Sequence, residues 1–140
     1  MLAALPLLAL PVLLYNLLAL TLAGGFSSLG AADRLSARLF TIPMASRAGW
    51  SVSLGDLLLA GSLVVLFVEL LKSTTSRRVA IINHSLTMVL FIACLVEFLL
   101  FPAFATSTFF LLSLMVLLDV LAGFIVTVVA SRRQVDFRGD

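Results

Sequence analysis

The chain has 140 residues, of which 62% are hydrophobic and 11% charged, with a formal net charge of +2 and a mean hydropathy of +1.23. Soluble domains carry about 25% charged residues, so this composition excludes a soluble monomer and calls for a surface covered by lipid. Lys and Arg number nine and are scattered along the chain, which argues against nucleic-acid binding, where basic groups gather on one face.

Tracts free of Asp, Glu, Lys and Arg extend over 1–32, 79–96 and 98–118, each near the roughly 20 apolar residues that cross a bilayer core. The first span is expected over 2–23. Thr21 and Ala23 leave small residues in a cleavage-like arrangement, but the segment lacks the basic start and short apolar core of a secretory signal. Gly24 and Gly25 mark its exit.

The long connection 24–53 is the main segment outside the spans. Leu35, Leu39 and Ile42 have the i, i+4, i+7 spacing of one helical face, with Arg34 and Arg38 beside it, Asp33 as a first-turn cap and Pro43 at its end. That pattern predicts a short interfacial helix. Trp50 precedes the second span, where indole rings settle at headgroup level.

The second span is expected over 54–71. Asp56 follows Ser53 by three residues, the spacing of a capping box that satisfies free backbone amides. The third span, 80–101, and the fourth, 104–130, meet at Phe101-Pro102-Ala103-Phe104; with no polar residue there, they form a tight hairpin. A tail, 131–140, follows. The chain therefore reads as a single membrane domain, 1–140: an all-α polytopic membrane protein whose four transmembrane helices form a bundle.

Each helix owns a stripe of small and polar residues at a period near 3.5, the seam of helices crossing at about +20 degrees. The stripes are Ala9, Asn16 and Ala23; Gly55, Ser62 and Glu69; Asn83, Thr87, Leu90, Cys94 and Glu97; and Thr108, Leu112, Met115, Asp119, Ala122 and Val126. Small and polar faces favour helix association in lipid. Cys94 is the lone cysteine; it excludes an intrachain disulfide and reads as a packing residue.

Basic residues set the expected orientation. Lys72, Arg77, Arg78, Arg132, Arg133 and Arg138 lie on the side holding both termini, against Arg34, Arg38 and Arg47 on the other. The positive-inside rule then puts both termini in the cytoplasm, in a bacterial inner membrane, with the long connection facing outward.

An ionised group at the bilayer centre costs at least ~2.5 kcal/mol on insertion scales, so each intramembrane acid needs a reason. Folding the chain about its short connections places Glu69, Asn83, His84, Thr87 and Asp119 together in the cytoplasmic third, with Lys72 one turn from Glu69. Glu97 stands alone nearer the outer face, a second candidate. The cluster has three readings. In the first it is a structural network in which Glu69 pairs with Lys72, His84 bonds a backbone or carboxylate group, and a protonated Asp119 donates to Asn83 or Thr87. The second is a proton or cation path, and the third a metal or redox site on Glu69, His84 and Asp119. His84 is the single histidine, so a bis-His haem within one chain is excluded.

No H-E-x-x-H, G-x-S-x-G or phosphate-binding glycine loop occurs. The expectation is a non-enzymatic protein without cofactor or metal, contacting the lipid bilayer and acting as a subunit or assembly partner of other membrane subunits or of its own copies. The alternative is a small oligomeric proton-coupled channel or transporter that uses the intramembrane carboxylates.

Overall fold

The computed structural model describes residues 5–72 and 77–136, and helix accounts for 71% of it. Of the expected segments, 2–4, the connection 73–76 and the tail end 137–140 lie outside the described residues. In chain order the elements are α1 (Ala9–Thr21), α2 (Ala31–Ser36), β1 (Arg38–Pro43), β2 (Gly49–Ser53), α3 (Leu54–Lys72), α4 (Arg77–Leu100), a 3-10 turn (Pro102–Phe104) and α5 (Ser107–Asp136). Three stretches, Leu54–Lys72, Ile81–Leu100 and Ser107–Ile125, are long and apolar enough to cross a membrane. They overlap the expected second, third and fourth spans.

The helix in the place of the expected first span is shorter than the composition suggests. α1 has 13 residues, about 20 Å at 1.5 Å per residue, against a hydrocarbon core of about 30 Å. Pro6 precedes the helix and Pro11 sits in its first turn, where a missing N–H costs no intrahelical bond. The chain leaves α1 through Gly24 and Gly25, whose φ angles of 85° and 114° are open to glycine at little steric cost.

The interfacial helix expected over the first connection is a helix only to Ser36. Beyond it the chain forms an antiparallel hairpin of β1 and β2, so an all-α description is corrected here. Asp33 lies in the first turn of α2 rather than at its cap, which is Gly30. The physical reason is local: Phe40, Thr41 and Ile42 face Trp50, Ser51 and Val52, and β-branched and aromatic side chains pack well on a pleated surface. Leu35 is buried in the core while Leu39, Ile42 and Trp50 are exposed, so the first three do not share a face.

α3 starts where its capping box predicts. Asp56 Oδ2 accepts from the Ser53 amide at 2.8 Å and from its hydroxyl at 2.7 Å, and the Asp56 amide donates back to Ser53 Oγ at 3.2 Å. α5 is capped by Thr106, whose Oγ1 accepts from the Phe109 amide at 3.1 Å.

α5 packs most extensively, against α4 and α3, and α1 lies across all three. The inward faces of α3 to α5 follow the expected stripes: Gly55, Ser62 and Glu69 on α3, Asn83, Thr87 and Cys94 on α4, and Leu112, Met115 and Asp119 on α5 are all buried. At Gly55 a Cβ would come within 2.7 Å of Thr108 Oγ1, so glycine allows α3 and α5 to approach. α1 departs from expectation: Leu8, Val12, Tyr15 and Ala19 are buried, whereas Ala9, Asn16 and Ala23 sit at the edge. The bulk of Tyr15 decides this, since its ring packs at a tilt against Phe104 and Phe109 with centroids 5.4 and 4.7 Å away.

Candidate functional site

The expected polar cluster forms at the end of the bundle where α1 and α4 begin and α3 ends. Glu69 is fully buried. Its Oε1 accepts from Asn83 Nδ2 on α4 and lies 3.6 Å from Lys72 Nζ, while its Oε2 accepts from the Leu7 amide at 2.5 Å. Lys72 Nζ also donates to the Leu5 carbonyl at 2.6 Å. The Leu5–Leu7 backbone is not helical, and inside a bilayer such groups need protein partners. Glu69 and Lys72 supply them. This link to α1 has no signature in the sequence.

Thr87 joins α4 to α5. Its Oγ1 lies 3.0 Å from the Asn83 carbonyl and 3.1 Å from Asp119 Oδ2, within hydrogen-bond reach of both. A hydroxyl has one proton to give, so a proton on the Asp119 carboxyl would complete both bonds at once.

His84 departs from the expected network. Its ring lies against Gly123 of α5, where a Cβ would come within 2.7 Å of the imidazole Cγ. Among the described residues no group hydrogen-bonds to His84 Nδ1 or to Asn83 Oδ1, both buried. Thus Glu69, Asn83, Thr87 and Asp119 form two linked pairs, and the His84 ring is packed beside them through its contact with glycine. Among the described residues no group of three His, Cys, Asp or Glu side chains is placed to hold a metal ion.

Glu97 does not stand alone. Asn16 of α1 donates to Glu97 Oε2 at 3.3 Å and to the Val12 carbonyl at 3.1 Å. The depth of Glu97 along the short α4–α5 hairpin does not fix this pair, because the long connection leaves the height of α1 open.

A further buried polar centre, at the opposite end, had no place in the expected site. The Tyr15 hydroxyl donates to the Ala103 carbonyl at 3.0 Å and lies 2.6 Å from Thr106 Oγ1. Because Tyr15 gives its proton to Ala103, Thr106 donates to Tyr15 while accepting from Phe109, and every atom is satisfied. The Ala103 amide in turn donates to Phe26 at 3.1 Å, tying the first connection to the α4–α5 turn. Tyr15 is the one tyrosine in the chain, and that was its only signal.

No protein-family model, curated protein or solved structure matches the chain. The fold and the apolar helices define a class, a mostly helical chain with three helices able to span a membrane.

Proposed function

We propose that the protein is a four-span subunit of the bacterial inner membrane, with α1 as the fourth span and both termini in the cytoplasm, and that it acts without catalysis by packing against other membrane subunits or its own copies. One observation carries this reading. Each of three acids on the helices, Glu69 and Asp119 buried and Glu97 half-buried, bonds a different helix pair or segment: Glu69 of α3 bonds Asn83 of α4 and the start of α1, Glu97 of α4 bonds Asn16 of α1, and Asp119 of α5 bonds Thr87 of α4. Interhelical hydrogen bonds of this kind are worth about 0.6 kcal/mol on average in lipid, and here they serve to assemble the bundle.

The outer faces are left for contact. Ile82, Val89, Ile92 and Leu99 of α4 and Phe124 and Ile125 of α5 are exposed, and lipid or a neighbouring helix would cover them. The second reading, a proton-coupled oligomer, draws support from Asn83 Oδ1 and His84 Nδ1, which have no partner among the described residues, since buried polar atoms without partners cost about 1–3 kcal/mol and water in a path would satisfy them.

Native mass spectrometry after gentle extraction tests the proposal. A complex with other membrane proteins, or a stable homo-oligomer without ion flux, supports it. A closed homo-oligomer that conducts protons favours the second reading.

A further inference from the structure

The hairpin of β1 and β2 is amphipathic across its two faces. Phe40 pairs with Val52 and Ile42 with Trp50 in the register, and directly opposed residues share a face. That face is therefore Phe40, Ile42, Trp50 and Val52, whereas Thr41 and Ser51 are paired on the other. Val52 is 4% exposed, but Phe40, Ile42 and Trp50 are 47%, 39% and 54% exposed, so an apolar strip leaves the protein body at Val52 and continues uncovered toward the hairpin tip.

An isolated two-stranded hairpin is marginally stable in water, so the strip needs a cover. Two features identify it. β2 ends at Ser53 and α3 begins at Leu54, so the hairpin is joined without a linker to a helix able to cross the membrane and stays near the headgroup layer. From α2 to β2 the chain carries Arg34, Arg38 and Arg47 against the single acid Asp33. Arg47 occupies the turn with φ of 66°, where Gly or Asn is the usual choice, and it places a positive charge at the tip.

We infer that the hairpin is a membrane-surface anchor: Phe40, Ile42 and Trp50 enter the interfacial layer of the bilayer, and Arg38 and Arg47 bind its anionic headgroups. Aromatic side chains favour this layer, and arginines near it are drawn to negative lipid. The inference rests on the membrane-spanning reading of α3 to α5 and is independent of any partner subunit.

Trp50 is the sole tryptophan, so its emission reports on the hairpin alone. The full chain is reconstituted into phosphatidylcholine vesicles, with or without phosphatidylglycerol, containing lipid brominated near the headgroup or near the chain end. Headgroup-proximal bromine should remove roughly half of the Trp50 emission, chain-end bromine less, and aqueous acrylamide little. Phosphatidylglycerol should deepen the quenching, and Arg38→Gln with Arg47→Gln should abolish that gain. Trp50 open to acrylamide and untouched by brominated lipid would overturn the inference. So would protection from both, which means that a second copy or another protein covers the face, and quenching indifferent to phosphatidylglycerol would overturn the role of the arginines. Val89→Trp in a Trp50→Phe chain reports on mid-α4, where Val89 is exposed. If chain-end bromine quenches that tryptophan, failure at Trp50 concerns the hairpin alone; if it does not, the membrane-spanning reading itself fails.

Discussion

Glu69 of α3 accepts a hydrogen bond from the amide of Leu7, 2.5 Å away and 62 residues earlier in the chain. A short first helix thus begins against the side of its neighbour, and its free backbone end is finished by a carboxylate from another element. Glu69→Leu removes the acceptor from Leu7, Asn83 and Lys72 together. Unsatisfied buried groups cost about 1–3 kcal/mol each, so the variant should lose roughly 2–4 kcal/mol in reversible unfolding from mixed detergent micelles. Glu69→Gln keeps an acceptor oxygen and should lose less than half as much. Equal losses in the two variants would show that the acceptor oxygen retained by glutamine contributes little.

Gly123 of α5 carries the His84 ring of α4 on its backbone. Gly123→Ala should separate the two helices and cost about 1–3 kcal/mol, the range for overpacking. Gly61 of α3 has open space where a Cβ would be, so Gly61→Ala should be close to neutral in the same unfolding assay. Combining Gly123→Ala with His84→Ala should recover most of the loss, since neighbouring sites couple. A loss that persists without the imidazole would place the strain elsewhere.

Tyr15 and Thr106 close a satisfied hydrogen-bond set with Ala103 and the amide of Phe109. Tyr15→Phe leaves the Ala103 carbonyl without its donor and should cost about 1–2 kcal/mol, while the ring contacts with Phe104 and Phe109 survive. Tyr15→Ala also empties the aromatic cluster and should cost about 3–5 kcal/mol. Thermal unfolding in one detergent ranks the two variants; a melting temperature for Tyr15→Phe equal to that of the wild type would contradict the hydrogen-bond assignment.

Arg47 holds a backbone conformation that costs an L-residue about 1–2 kcal/mol. Arg47→Gly should therefore strengthen the hairpin, slowing amide exchange at Met44, which donates to the Ala48 carbonyl at 2.9 Å beside the turn. Faster exchange at Met44 in the variant would show that the arginine side chain stabilises the turn more than its backbone strains it.

Where the chain is regular, its packing was legible. The seven-residue recurrence of Gly55, Ser62 and Glu69 and the Ser53 and Asp56 box described α3 correctly, because both signals are local. Short connections also set Glu69 level with Asn83, as their hydrogen bond bears out. The first connection misled for a physical reason: Leu35, Leu39 and Ile42 satisfy a helical spacing, yet Phe40 and Ile42 alternate as a strand does, and their partners Val52 and Trp50 lie beyond a turn. The inward face of α1 was hidden similarly. A stripe of Ala9, Asn16 and Ala23 looks like a packing seam, but the space left by Phe104 and Phe109 admits the ring of Tyr15, and tertiary fit overrides the pattern. Neither the Leu7 bond to Glu69 nor the Asn16 bond to Glu97 follows from helical period, since both depend on the depth of α1.

Asp119 tests most directly whether the intramembrane acids assemble the bundle or carry protons. Asp119→Asn retains the shape and an acceptor for Thr87, whereas Asp119→Leu removes the partner and should weaken assembly by roughly 1–3 kcal/mol. The decisive measurement is proton flux into vesicles holding the wild-type chain or Asp119→Asn, with assembly followed in parallel by native mass spectrometry. The expected result is no flux above empty vesicles in either, an unchanged complex with Asn and a weakened one with Leu. Flux in the wild type that vanishes in Asp119→Asn while the complex stays intact would contradict the structural role and make Asp119 a proton carrier.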